Sequence, residues 1–433
     1  MKVLFINDST SNCNWGDRAA AVSLRHMVLA TGHTIHHAIS EDDLLSSSFL
    51  TAAKDPPASR PGVAGGAVRP ARPGRFTDYI PPAVVRFKKE YLRRHRTTQV
   101  NPHIPGTWEE FDEAARRIVG DESQYAGFLE TLHAIDIAVI HGDGAMVGNG
   151  IAPRTDLFLS YLIRRYLDKP VIIVNHTADF DHPNLRRIAE MVYPLYDDVV
   201  FRDPQSAERC KGFCDGRFAA DTAFLFAPAP RDEWVRVAAR PTYFDVWPDT
   251  AEFDPERGYV CVGGSAKFGY YVEPYRKLVD NLVGLIEEIG KVYPGQIVLT
   301  VSDATDEPIF RRVAREASLP LVGARTPIQQ TVDIVGNADA YIGGRWHPSI
   351  FALRGGTPII PFASKTFKME ALAEMAGLAF PAAEPLELAQ RGGDIARQLA
   401  SFVEAGDALR DRLRTWAEEM CENSWDNVSY LRR

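Results

Sequence analysis

Two doubly wound (Rossmann-like) α/β domains facing a central cleft are what this sequence predicts, and three observations carry the prediction. Runs such as MKVLFIND, PVIIVNHT, GYVCVGGS and QIVLTVSD are short and nearly all apolar, the pattern of strands buried on both faces. Amphipathic stretches of helical length alternate with them, so the sheets should be parallel and covered by helices. The alternation breaks once, over the Pro-, Trp-, Asp- and Arg-rich segment 227–257, and then restarts. With 433 residues, the chain is too long for one ordinary core.

The elements follow in order. Residues 2–7 form the first strand. DRAAAVSLRHMVLATG reads as a helix with Asp17 as its N-cap and Gly32 as its stop. IDIAVIHGDG is a buried strand ending in a Gly-rich turn. Helix TDLFLSYLIRRYLD, strand PVIIVNHT, a helix around NLRRIAEMVYPLY, strand DVVFRD and helix PQSAERCKGF complete the first half. After the connector come strand GYVCVGGS, helix PYRKLVDNLVGLIEEIGKVY, strand QIVLTVSD, helix EPIFRRVAREA, strand LPLVG and helix PIQQTVDIVGNA. Strand DAYIGG, helix HPSIFALRGG, strand PIIPF and helices near 365–377 and 394–423 close the chain. The expected boundaries are 1–240 for the first domain, 241–400 for the second and 401–433 for a C-terminal helix, with a basic, partly mobile insertion at about 45–125.

Composition narrows the class. A hydrophobic fraction of 45% with 24% charged residues suits a soluble globular protein, and no stretch approaches a transmembrane run. A strand begins at once, so no signal peptide is expected. The five cysteines read as reduced thiols, and a cytoplasmic location is expected. Cys210 and Cys214 have no second pair to complete a zinc site, and no metal is expected. There is no GxGxxG or GxxxxGK[ST] fingerprint. The net charge of −8 hides a basic segment, 51–100, with 11 Lys or Arg against 3 Asp or Glu. Its PPASRPGVAGGAVRPARPGR half cannot bury a core, and its VVRFKKEYLRRHR half suggests a basic amphipathic helix. Either it is a solvated loop, or it docks on an anionic membrane face or a pyrophosphate-linked lipid, making the protein peripheral at the inner face of the membrane. Nucleic acid is not expected, because no aromatic readout platform accompanies the charge.

Loops at the carboxyl ends of parallel strands carry the chemistry in such folds. There lie Asn14 and Asp17, able to meet a hydroxyl or an anion at a helix amino end. His141 and His176 also lie there, each singly more apt to be a hydrogen-bonded packing residue than a catalyst. Arg202 leaves a strand as FRDP, where Asp203 can cap the next helix while the guanidinium grips carboxylate or phosphate. Lys267 sits in VGGSAKFG as a phosphate contact. In GGRWHPSIFALRGGTPIIPFASK, His347 begins a helix ahead of Pro348, with Arg345 and Trp346 before it and Lys365 after the final strand. A helix amino end disfavours an imidazolium and a bound anion favours it, so the protonation of His347 should follow the substrate.

The architecture is similar to that of the GT-B glycosyltransferases. The chain more narrowly resembles the polysaccharide pyruvyl transferase family. The carriers are NWGDRAA, IHGDGAMVGN, KPVIIVNHT, VVFRDPQSAERC followed by ADTAFLF, and the Arg345-Trp346-His347 to Lys365 stretch. The resemblance implies phosphoenolpyruvate as donor, no cofactor, no nucleotide sugar and no metal. The product is a pyruvate ketal on a sugar of a cell-surface polysaccharide or its lipid-linked precursor, with acceptor contacts from the first domain and donor contacts from the second. It gives Arg345 and His347 the catalytic Arg-x-His roles and Arg202 that of the strand-end Arg. Lys365 becomes the Lys after the last strand, and His141 or His176 an additional His. Trp346 can stack on a sugar or simply pack. The alternative is a GT-B glycosyltransferase using a nucleotide sugar, with Glu307 or Glu370 near a ribose. A catalytically idle carbohydrate-binding homologue is disfavoured by retention of the Arg, His and Lys set.

Overall fold

A computed structural model describes residues 1–46, 48–51, 101–246, 253–270, 275–378 and 380–433. The basic segment and its membrane docking therefore lie outside the described residues, apart from Thr51.

The first sheet is β1 Lys2–Asp8, β2 Thr34–Ser40, β3 Ile137–Val147, β4 Val171–Asp179, β5 Asp198–Phe201 and β6 Arg217–Phe218. Its order is β2-β1-β3-β4-β5-β6, parallel throughout. The second sheet comprises β7 Tyr259–Ser265, β8 Gln296–Thr300, β9 Leu321–Val322, β10 Ala340–Gly344 and β11 Ile359–Pro361, in the order β11-β10-β7-β8-β9 and also parallel. Every residue of β4 and of β7 is buried, which is why their first halves, VIIV and YVCV, read as unbroken apolar runs rather than alternating ones. The two Rossmann-like domains of the GT-B fold are thus present.

Several boundaries differ from the sequence expectation. The helix Trp15–Ala30 is capped by Asn14, whose side chain accepts from the Gly16 and Asp17 amides, so Asp17 lies inside the first turn. The expected Gly-rich turn after Ile140 is strand: β3 runs through Gly142–Gly144 to Val147, with Asp143 at φ 41°. Trp346, not His347, opens the helix Trp346–Arg354. Residues 111–125, expected in the insertion, contain the helix Phe111–Gly120, which buries Phe111, Ala114, Ala115 and Ile118 in the first domain's core. The connector is partly core as well, because Trp234 is fully buried in the second domain and donates to Tyr243 Oη at 2.8 Å.

Trp15 and the C-terminal segment both tie the domains together. Trp15 inserts into the second domain, its indole Nε1 donating to the Ala324 carbonyl at 3.0 Å and its amide to the Ser302 carbonyl. The C-terminal helix, Leu388–Ser424, lies on the second domain, kinks at Gly406 (φ 54°), and passes into the 3-10 segment Trp425–Arg432. That segment buries Val428 and Leu431 against Val3 and Phe5 of the first domain. No helix among the described residues is long and apolar enough to cross a membrane.

Candidate active site

One wall of the cleft comes from a single stretch. β10 delivers Arg345 in an extended conformation, and the next residue starts a helix, so Arg345, Trp346 and His347 fan out from the strand end. Arg345 grips Asp306 as a fork, Nη2 to Oδ1 at 2.7 Å and Nε to Oδ2 at 2.9 Å, and reaches Asp303 at 3.2 Å. Burial raises the Asp306 carboxyl to about 6, with Arg345 opposing that shift. Asp303 also accepts from Asn14 Nδ2 at 3.2 Å, which joins the two domains beside the site.

The other wall is assembled from separate strand ends. Arg202, after β5, has a side chain 1% exposed. Its Nη1 pairs with Asp143 of β3 and with Asp221 Oδ2 at 3.0 Å, while Nε donates to Thr177 at 3.0 Å. Asp221, after β6, accepts as well from Trp346 Nε1 at 2.9 Å, and the Trp346 ring lies 5.0 Å from the Arg202 guanidinium carbon. A buried guanidinium needs such compensation, and two carboxylates, a hydroxyl and an aromatic face supply it. Arg202 therefore does not extend an open fork into the cleft as expected; it organises the floor.

His347 stands where the walls meet. Its Nδ1 lies 3.8 Å from Asp17, and its Nε2 lies 3.5 Å from Asp221, 3.7 Å from Asp143 and 3.4 Å from Arg202 Nη1. Gly16 is what lets the first helix approach this ring. A Cβ there would fall 1.9 Å from His347 Nδ1. Burial opposes the charges of Asp143 and Asp221, but Arg202 and His347 outweigh it and hold both carboxyls well below the usual range. Asp17 goes the other way: burial, then the Asp143 and Glu41 charges, raise it well above an ordinary carboxylate. Asp143 holds the Arg202 cation, whereas Asp17 has no such partner among the described residues and is pushed toward its neutral form by burial and by the Asp143 charge.

The remaining expected residues divide clearly. Asn14, Asp17 and Trp346 belong to the junction, although Trp346 is 3% exposed and packs rather than offering a face to a sugar. His176 does not face the cleft. It is fully buried, its Nδ1 meets the Val200 carbonyl at 2.9 Å and its Nε2 the Tyr193 hydroxyl at 3.0 Å, and burial lowers its pKa to about 3. His141 is fully buried behind the site, with Nε2 3.1 Å from Asn175 Nδ2. Lys267 pairs with Glu384 at 2.6 Å instead of meeting the junction. Lys365 is exposed, with burial and then Arg345 lowering its pKa. Glu307 and Glu370 lie on the helices Glu307–Ala317 and Lys368–Met375.

Sequence reasoning missed Asp143, Asp221 and Lys368. The first two lie inside motifs already singled out, HGDG and ADTAFLF, where the glycines and apolar residues drew the eye. Lys368 sits three residues past Lys365. A Cβ on Gly144 would have Arg202 Nη2 at 3.4 Å and Lys368 Nζ at 3.9 Å, so this ammonium faces the same floor. Burial, followed by Arg202, lowers it to about 8. Lys368 makes no hydrogen bond or ion pair with any described residue, unlike the two arginines.

No metal is expected from the sequence, yet acidic groups cluster beside the cations. Asp17, Asp143 and His347 hold ligand atoms within 4.8 Å of one another, a set able to hold a metal ion. Arg202 Nη1 already contacts two of the three, Asp143 and His347 Nε2, from one side.

The model of one family, polysaccharide pyruvyl transferase, matches residues 67–366, and with them β3 through Lys365. The chain belongs to the polysaccharide pyruvyl transferase family. No curated protein matches it. Among solved structures, UDP-GlcNAc 2-epimerase from Neisseria meningitidis, bound to UDP-GlcNAc, is similar with a TM-score of 0.54 at 11% identity, covering 100% of this chain and 99% of that one. UGT89C1 of Arabidopsis thaliana, complexed with UDP, gives 0.53 at 14% identity over 99% and 98%. The S. aureus MnaA–UDP structure gives 0.52 at 11% over 99% and 94%. At such identities the likeness is one of fold. Within the family model's span, this chain's Arg202, Asp221 and His347 meet at one point although they lie far apart in sequence.

Proposed function

We propose that the protein moves the pyruvate unit of phosphoenolpyruvate onto a sugar hydroxyl pair of a cell-surface polysaccharide or its lipid-linked precursor, forming a pyruvate ketal without metal or nucleotide. The observation that carries this reading is the convergence of His347 with Arg202, Arg345 and Lys368 in a member of this family. A donor bearing carboxylate and phosphate calls for cations. Lys368, which has no hydrogen-bond or ion-pair partner among the described residues, takes the phosphate on this reading, with exposed Lys365 three residues before it, while Arg345 and Arg202 fix the surrounding carboxylates.

His347 delivers a proton to the methylene carbon of the donor, which leaves the adjacent carbon electrophilic. A sugar hydroxyl adds there, and its proton passes to a carboxylate of the Asp17–Asp143 pair and so back to the imidazole. Phosphate then leaves with the bridging electron pair, and the second hydroxyl adds in its place, its proton going to phosphate. One donor and one diol give one ketal and one phosphate. On this reading the first domain, with the carboxylates, takes the acceptor and the second, with the lysines, takes the donor.

The test is direct. With phosphoenolpyruvate and an oligosaccharide acceptor, phosphate release should match the appearance of a ketal methyl signal in proton NMR, and EDTA should leave the rate unchanged. Loss of turnover in EDTA restored by Mg²⁺ or Mn²⁺ would overturn the metal-free mechanism, and sugar transfer from a nucleotide sugar would overturn the donor.

A further inference from the structure

The site's acidic turn is held by residues outside the family model's span. Ala220, immediately before Asp221, has its amide bound to Asn423 Oδ1 at 2.7 Å and its carbonyl bound to Asn427 Nδ2 at 2.9 Å. Both asparagines belong to the C-terminal segment that crosses from the second domain to the first. Asn427 is fully buried, and its Oδ1 also accepts the amide of Asn175 at 2.9 Å. Asn175, at φ 55°, turns its own side chain back to the same place. Its Oδ1 accepts the Thr222 amide at 3.0 Å, and its Nδ2 faces His141 Nε2. The residues on each side of Asp221 are thus fixed through Asn427, one directly and one through Asn175. Asp221 in turn binds Arg202 and Trp346 and stands 3.5 Å from His347.

We infer that Asn427, seconded by Asn423, is a positioning residue for the reactive corner, so that docking of the C-terminal segment on the first domain sets the place of Asp221. Backbone groups in a buried turn must be satisfied, and here the tail's side chains satisfy those of Ala220. Removing them frees the turn, and displacement on the order of 1 Å in a catalytic array costs up to about 10²-fold in rate. The kinetic part of this inference rests on the pyruvyl-transfer reading; the mechanical part does not.

Two measurements separate the parts. In hydrogen exchange, Asn427→Ala should speed exchange at the Ala220 and Thr222 amides well beyond the change at β1. In steady-state kinetics it should lower kcat about 10- to 100-fold with the donor KM moved less than about threefold. Ile118→Ala, a core truncation in the helix Phe111–Gly120 away from the docked segment, should lower Tm without that loss of kcat. The Asn427→Ala, Asp221→Asn double variant should be no slower than Asp221→Asn alone, because the tail acts through Asp221. Partly buried Asn423→Ala gives the same readings in milder form if Asn427→Ala does not fold. Unchanged exchange at Ala220 and Thr222 would overturn the mechanical claim. Unchanged kcat, or rate losses that multiply in the double variant, would overturn the positioning role. Wild-type protein inert toward phosphoenolpyruvate would sink the function proposed above while leaving the exchange result to stand.

Discussion

The two walls of the cleft are built in opposite ways. The second domain supplies Arg345, Trp346, His347, Lys365 and Lys368 from one stretch of chain around β10 and β11. The first supplies Asp17, Asp143, Arg202 and Asp221 from four separate places: the helix after β1, β3 itself, and the ends of β5 and β6. The contiguous wall is dominated by cations and the dispersed one by carboxylates. The difference suggests a division of labour, with charge for gripping an anion on one side and groups that set proton positions on the other.

The largest effect should come from the point where the walls touch. His347→Ala is expected to lose about 10²–10⁴-fold in turnover while still binding phosphoenolpyruvate, because only general acid chemistry is removed. Near-normal turnover, measured by phosphate release, would break the comparison by making the contact merely structural. Gly16→Ala attacks the same contact from the dispersed side. Its Cβ would overlap the imidazole, so either the ring or the first helix must shift. A loss on the order of 10²-fold in kcat is expected.

The contiguous wall is sharpened by Lys368. Lys368→Met should raise the donor KM about tenfold, roughly 1.4 kcal/mol, with a smaller change in kcat. Burial lowers its pKa to about 8, so the ammonium is charged below that value and lost above it. The wild-type donor KM should therefore climb as pH rises through about 8, and the Met variant should show no such climb. A KM for the variant equal to wild type would return the donor role to Lys365.

Why one wall was legible in the sequence and the other was not follows from this construction. A stretch that packs Arg, His and Lys around a strand, a helix and a turn announces itself locally. Asp143 and Asp221 acquire meaning only when parallel pairing lines β3, β4, β5 and β6 up in one sheet, a three-dimensional fact with no local signature. The doubly wound pattern was readable because fully buried strands must be apolar throughout. The Asn14 cap was not, because Asn14 and Asp17 are both good caps three residues apart. His141 and His176 looked equivalent at strand ends. Only the fold shows that His176 spends both ring nitrogens on Val200 and Tyr193.

The smallest catalytic effect should come from that histidine. His176→Phe is expected to change kcat less than about twofold while costing about 1–3 kcal/mol of stability through lost hydrogen bonds. The sign with pH is fixed by the direction of its shift. With a pKa near 3 when folded and about 6.5 when unfolded, His176 binds more protons in the unfolded state between these values. Its share of stability is present above about 6.5 and falls as pH drops toward 3. Tm measured across this range should decline more steeply for wild type than for the Phe variant, and parallel curves would mean that His176 is already charged in the fold.

The central claim is the identity of the donor, and a thermal-shift panel of phosphoenolpyruvate, UDP, GDP and CMP tests it most directly. A ligand at a hundred times its Kd adds about 2.7 kcal/mol to stability, which for a chain of this size means a rise in Tm of roughly 3 °C. Phosphoenolpyruvate should give such a rise in wild type and a smaller one in Lys368→Met. A rise with a nucleotide and none with phosphoenolpyruvate would contradict the account and return the cleft to nucleotide-sugar chemistry.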